Sequence, residues 1–210
     1  MLVKNYKSIF QEVLFSFYDE KEIESFFYII LEQFHNLKRI DLALNPEMEI
    51  TKSDIIRWEN VLTELKKQKP IQYILGETAF YGMRFTVNGD TLIPRPETEE
   101  LVAWIIEEAS KGKLHKKDKI SILDIGTGTG CIPISLAKNL IKSSVSAIDI
   151  SQKALLIAKK NALLNNTKID FFEMDILNTE SLPQKFDIIV SINSKNFFYN
   201  ICFSLNIYPE

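Results

Sequence analysis

Apolar residues recur at helical spacing through residues 1–69, whereas beyond residue 120 short apolar runs alternate with helical stripes. Phe10, Val13, Leu14 and Phe17 fall at i, i+3, i+4 and i+7, and Ile23, Phe26, Phe27, Ile30, Leu31 and Phe34 form a second, wider stripe. Thr51 followed by Asp54 marks a helix start, and Trp58, Val61, Leu62 and Leu65 give a third stripe. Such stripes are core faces, so the spacing predicts a small helical bundle packed on itself. Pro70 is expected to end it, because a proline ring cannot continue a helix interior. The aromatic and β-branched run over 78–87, centred on Tyr81-Gly82-Met83, predicts a short hairpin. Residues 91–100, TLIPRPETEE, read as an extended entry stiffened by Pro94 and Pro96. They lead into a helix reaching about residue 110, with Glu97, Glu99 and Glu100 at its positive end. Residues 111–119, KGKLHKKDK, read as a solvated linker in which His115 is simply exposed.

From residue 120 the chain alternates strand and helix: strands over 120–124, 145–149, 169–172 and 186–191, and helices over about 131–142 and 151–165. Strands separated by helices of this length predict an α/β fold with a parallel, doubly wound sheet behind the helical bundle. Composition narrows the class. The charges nearly balance at −3, which gives no footprint for tight binding to a phosphate backbone. The longest uninterrupted apolar run, residues 26–31, is far below the roughly 20 residues that cross a bilayer, and no cleavable leader is legible. Cys131 and Cys202 make neither a disulfide framework nor a zinc-ligand spacing, and no metal site is expected. The chain reads as cytoplasmic and monomeric, with no direct nucleic-acid or membrane partner.

The sharpest local signal is Asp124-Ile125-Gly126-Thr127-Gly128-Thr129-Gly130 at a strand-to-helix turn. Glycines there let the backbone turn tightly and approach a ligand, and the helix that follows presents unpaired N–H groups. Asp149 ends the next strand, where an acid can accept from both hydroxyls of a ribose, and Asp175 lies just past the third strand, within topological reach of an adenine edge. The dinucleotide fingerprint G-x-G-x-x-G fails, because its third glycine would fall on Cys131. An acid ahead of the first glycine disfavours pyrophosphate and suits a cofactor bearing a cationic amino acid. The loop therefore points to S-adenosylmethionine rather than NAD, with Asp124, Gly126, Thr127, Gly128, Thr129, Gly130, Asp149 and Asp175 as its candidate residues. Cys131 is expected to pack as a small buried residue at the helix start, with Pro133 tolerated in the first turn.

The runs LGETAFYGMRF, TLIPRPETEELV, ILDIGTGTGCIPISLA and AIDIS with ALLIAKKNA closely resemble the release factor glutamine methyltransferases, the PrmC/HemK family, over residues 1–191. The motif TLIPRPETE is specific, since other methyltransferases that share the glycine loop lack it. The resemblance implies methyl transfer from S-adenosylmethionine to the side-chain amide nitrogen of the glutamine in the Gly-Gly-Gln motif of class I peptide-chain release factors. It also implies that Arg95, Pro96 and Glu97 line the approach to the site. The domains expected are a helical substrate-recognition domain over 1–69, a hairpin and connecting helix over 70–110, and a truncated methyltransferase domain over 111–210.

The resemblance stops after Ser191. The family places Asn-Pro-Pro-Tyr directly after the fourth strand, whereas this chain continues Ile192-Asn193-Ser194-Lys195-Asn196 and contains no Asn-Pro-Pro-Tyr. In the family that motif accepts the N–H bonds of the substrate amide and aims its nitrogen at the methyl sulfonium. Asn193 is a weak substitute, one residue late and without the rigid prolines. Three further family strands do not fit in residues 192–210, so the expectation is a frameshift or early stop, with Ile188, Ile189 and Val190 left on an exposed edge. With the resemblance and its break after Ser191, three readings stand: an impaired release factor methyltransferase, a cofactor-binding product without turnover, and a DNA adenine-N6 methyltransferase relative. The near-neutral charge and TLIPRPETE speak against the last.

Overall fold

The structure, a computed structural model, describes residues 1–182, 184–192 and 199–203, with residues 112–113 and 199–203 described by their backbone alone. The chain divides into two compact units, Met1–Gly76 and Glu77–Glu210. The first unit holds α1 (Val3–Leu14), α2 (Glu20–His35), α3 (Arg39–Leu44), α4 (Lys52–Leu65) and α5 (Ile71–Leu75). Trp58 is its centre, ringed by Tyr6, Phe10, Phe27, Phe34 and His35 at centroid separations of 5.0–6.4 Å. The indole Nε1–H donates to His35 Nε2 at 3.1 Å, so the one polar atom of this side chain is partnered inside the core.

Two boundaries in this unit differ from the sequence expectation. The buried line of α1 is Val3, Tyr6, Phe10 and Leu14; the helix stops there, and Phe17 lies beyond it with 41% of its surface exposed. Asp19 then caps α2 by accepting from Glu22 N, which turns the chain before the stripe through Phe17 can continue. Pro70 does not end the helical region but stands at the N-cap of α5, where a fixed φ and a missing N–H cost nothing. Ile71, Ile74 and Leu75 carry α5 into the helical core, and Gly76, at φ 75°, closes it in a conformation that a side chain would strain. The unit boundary therefore falls at residue 76 rather than 69. The start of α4 is as expected: Thr51 accepts from Asp54 N while the Asp54 carboxylate accepts from Thr51 N.

The second unit opens with the antiparallel hairpin β1 (Glu77–Phe80) and β2 (Met83–Thr86), followed by α6 (Pro96–Ala109) and the short α7 (Gly112–His115). After these come β3 (Ile120–Ile125), α8 (Cys131–Asn139), β4 (Ser143–Asp149), α9 (Gln152–Leu164), β5 (Asp170–Glu173), β6 (Ile188–Ile192) and β7 (Tyr199–Phe203). The five-stranded sheet runs β5-β4-β3-β6-β7, parallel except for β7. Phe80 and Phe85 of the hairpin and Leu101, Val102 and Ile105 of α6 share one core with Ile122, Ile134, Val145 and Ile188. The hairpin and α6 are thus part of this unit's core, not a connecting piece. The expected linker over 111–119 is also structured. Leu114 packs on that core, and Lys117 pairs with Asp187, whose other oxygen accepts from Ser121 N and Oγ. Burial works to raise the Asp187 carboxyl, but the bonds to Lys117 and Ser121 overrule it and hold the group below the ordinary carboxylate range.

The expected exposed edge at β6 is overturned. Ile188, Ile189 and Val190 lie between β3 and β7, paired with Phe203, Cys202 and Ile201 on the new side. The five residues that pair, Tyr199 to Phe203, are apolar except for Asn200.

Candidate cofactor site at the carboxyl ends of the strands

In an open α/β sheet, ligands bind outside the carboxyl ends of the strands where the strand order reverses. Here β3 is followed on one side by β4 and on the other by β6, so that point lies at the end of β3, where residues 126–130 leave the sheet. The loop is held from β4: Gly126 N and Thr127 N both donate to Ile148 O, at 2.9 and 3.1 Å. Asp149 ties the same two elements with its side chain, accepting from Gly128 N at 2.8 Å and from Ser151 N at 2.9 Å. The carboxylate thus uses one bond per oxygen and keeps lone pairs for a further donor such as a hydroxyl.

Gly130 shows why the loop must end in glycine. Its φ is 78°, and a Cβ there would stand 3.1 Å from both Ala158 Cβ and Ile134 Cδ1, so helix packing and backbone conformation both exclude a side chain. Gly130→Ala is expected to destabilise this unit by about 2 kcal/mol through the left-handed backbone and the crowding together, measured by urea unfolding against the unsubstituted protein. A Cβ at Gly126 or Gly128 would instead meet nothing within 4 Å, which leaves open space on the side of the loop a ligand would approach.

Asp124, the last but one residue of β3, is 1% exposed, and its Oδ2 has no hydrogen-bond partner; Thr127 Oγ1 is likewise buried and unpartnered. Burial pushes the Asp124 carboxyl up to about 7, with the Thr127 hydroxyl opposing and the Asp149 charge adding to the rise. Cys131 packs buried at the first position of α8, and burial drives its thiol up to about 12, so it is inert as a nucleophile at neutral pH. Thr129 is buried beside it.

The remaining sequence candidates are placed less centrally. Asp175 follows β5 and caps the turn over Ile176–Asn178, with Oδ1 accepting from Leu177 N and Oδ2 from Asn178 Nδ2. Arg95, Pro96 and Glu97 are exposed at the start of α6. A firm contact from that segment comes from Glu99, which accepts from Tyr81 N at 2.7 Å and clamps the turn of the hairpin. Asn193 lies outside the described residues.

Sequence reasoning missed Asn161. It is fully buried on the inner stripe of α9 with Ala154, Leu155, Ala158 and Ala162. Its Oδ1 accepts from Thr86 N at 2.7 Å, and its Nδ2 donates to Thr86 O and Thr129 O, both at 2.9 Å. One side chain therefore joins the hairpin to the glycine loop. The available signal was a lone amide on an otherwise apolar helical stripe, since a buried polar group needs partners.

Comparison with known proteins agrees with this division. Residues 16–76 match the family described as PrmC N-terminal domain, and residues 122–201 match the one described as Methyltransferase domain. A protein of Flavobacterium psychrophilum named release factor glutamine methyltransferase is 61% identical over 191 residues, covering 91% of this chain and 66% of its own length. Proteins of the same name from Streptococcus pneumoniae and Bacteroides thetaiotaomicron are 40% and 37% identical, covering 88% and 83% of this chain. The chain is similar to the release factor glutamine methyltransferases over most of its own length. It spans 66%, 62% and 60% of the length of these three family members. Among solved structures, a ribosomal protein L11 methylase from Lactobacillus delbrueckii overlaps half of this chain and half of its own at 28% identity and a TM-score of 0.40. Within the family frame, Glu99 and Tyr81 belong to the runs TLIPRPETEELV and LGETAFYGMRF, and the clamp between them gives both a structural reason. No helix among the described residues is long and apolar enough to cross a membrane.

Proposed function

We propose that this chain binds S-adenosylmethionine at the ends of β3, β4 and β5, as the cofactor half of an enzyme that methylates the side-chain amide of the Gly-Gly-Gln glutamine in class I peptide-chain release factors. The observation that carries this reading is the pairing of an open glycine loop with two carboxyls, Asp124 and Asp149, one of which keeps an unpartnered buried oxygen. That donor set fits a ligand with a cationic amino-acid end and ribose hydroxyls, and it repels pyrophosphate. When bound, the cofactor supplies a methyl group on a cationic sulfur as the electrophile. The protein's own contribution is to hold the loop from Ile148 O and Asp149, to offer the Asp149 carboxylate to hydroxyls, and to keep water from the buried Asp124. The partner in this reading is a release factor met in the cytoplasm by a monomer; the near-neutral charge supports that choice over nucleic acid.

Calorimetry tests the cofactor half. S-adenosylmethionine is expected to bind and NAD is not, and Asp149→Ala is expected to weaken binding by about 1.5–3 kcal/mol, the range for hydrogen bonds to a charged group. Binding of NAD, or an unchanged affinity in the variant, refutes the assignment. A second reading, a chain that holds the cofactor without turning over, is favoured by one observation: after Ser191 the sequence reads Ile192-Asn193-Ser194-Lys195, where the family has Asn-Pro-Pro-Tyr.

A further inference from the structure

Asp124 sits where a carboxylate has no cation to hold it and one oxygen, Oδ2, has no hydrogen-bond partner. Its backbone lies between Ala147 of β4 and Val190 of β6, and among the described residues no ion pair reaches its side chain. The titratable groups that act on it are Asp149 at the end of β4, of the same sign, and the buried thiol of Cys131 in α8; on the β6 side, Val190 and Ser191 carry no charge. A buried carboxyl with no cation and an unpartnered oxygen takes up a proton rather than keep its charge. Two neighbouring carboxylates, Asp124 and Asp149, strengthen that preference.

We propose that Asp124 is a protonated acid in the ligand-free protein at mildly acidic pH, and that it gives up this proton when a cationic cofactor settles against the glycine loop. The inference rests on the reading of the loop as an S-adenosylmethionine site. The O–H bond at Asp124 breaks, the proton passes to the solvent buffer, and the carboxylate left behind is stabilised by the positive charge of the ligand. The sign of the linkage follows. Below the free carboxyl's midpoint each binding event must expel a proton, so affinity falls about tenfold per pH unit; above it, affinity is flat. The carboxyl's midpoint near 7 places the bend within the physiological range. An anionic ligand would show the opposite slope.

The first measurement needs no cofactor. In protein labelled with ¹³C at its aspartate carboxyls, the signal missing from Asp124→Asn is expected to titrate near pH 7; a midpoint below 5 overturns the proposal. The second is calorimetry of S-adenosylmethionine binding at pH 6.5 in buffers of different ionisation enthalpy. The unsubstituted protein is expected to release roughly three quarters of a proton per site, and Asp124→Asn, the uncharged isostere of the protonated acid, none. Should that variant not fold, buffer-dependent calorimetry of the unsubstituted protein decides alone. Binding without proton release overturns the linkage and leaves the cofactor reading standing. Absence of any binding overturns both.

Discussion

In a matched methyl-transfer time course, this chain is expected to modify a class I release factor at least about 10³-fold more slowly than a family member that carries Asn-Pro-Pro-Tyr after the strand equivalent to β6. An amide nitrogen is a poor nucleophile because its lone pair is delocalised, so the reaction depends on how well that nitrogen is aimed. The residues that would aim it come next in the sequence after the described part of β6, and here they do not match the family motif. A 10³-fold loss corresponds to about 4 kcal/mol of transition-state stabilisation, well within the 7–11 kcal/mol that positioning can contribute. Equal amounts of the two proteins, radiolabelled cofactor and one release factor preparation give the comparison. A rate within tenfold of the relative's would show that residues 192–210 rebuild the site and would defeat the expectation.

Asn161→Ala is expected to be the most damaging single substitution in the second unit that touches neither a ligand nor a hydrophobic contact. It strands the buried Thr129 O and the half-buried Thr86 N and O, all now bonded at 2.7–2.9 Å; a fully buried group left unpaired costs about 1–3 kcal/mol, and the half-buried ones less. A total near 3 kcal/mol corresponds to about a hundredfold loss of hydrogen-exchange protection at Thr86 N. Because the same amide holds Thr129 in the glycine loop, affinity for S-adenosylmethionine is expected to fall in the same variant. Asn161→Asp separates the contributions: it keeps the acceptor for Thr86 N and loses the two donated bonds. Unchanged exchange at Thr86 in Asn161→Ala would refute the account.

The elements most legible in the sequence were those in which several local signals agree. α4 has a reciprocal cap at Thr51 and Asp54 and a stripe ending at Leu65, and both survive in three dimensions. β3 and β4 are short buried strands that close on a glycine loop and an acid, which leaves one reading of their direction. Pro70 was misread because proline both stops helices and starts them, and its own sequence neighbourhood does not say which; the burial of Ile71 against the helical core decides. β7 was missed because a five-residue run inside a tail without clear periodicity carries little weight until β6 offers it an edge. Asn161 and Glu99 were invisible as positioning residues because their partners are backbone atoms 75 and 18 positions away in the chain, and periodicity records only near neighbours. The glycine loop was visible as a motif, but the orphaned oxygen of Asp124 is a property of packing.

The division of the chain at Gly76 leaves one indole in each unit: Trp58, sealed among rings in the first, and Trp104 of α6, 47% exposed, in the second. These are the two tryptophans of the whole sequence. The protein therefore carries its own pair of optical probes, a blue-shifted emitter beside the His35 imidazole and a water-facing, red-shifted one. Melting of the two units can be followed separately in a single sample by emission wavelength, without any label.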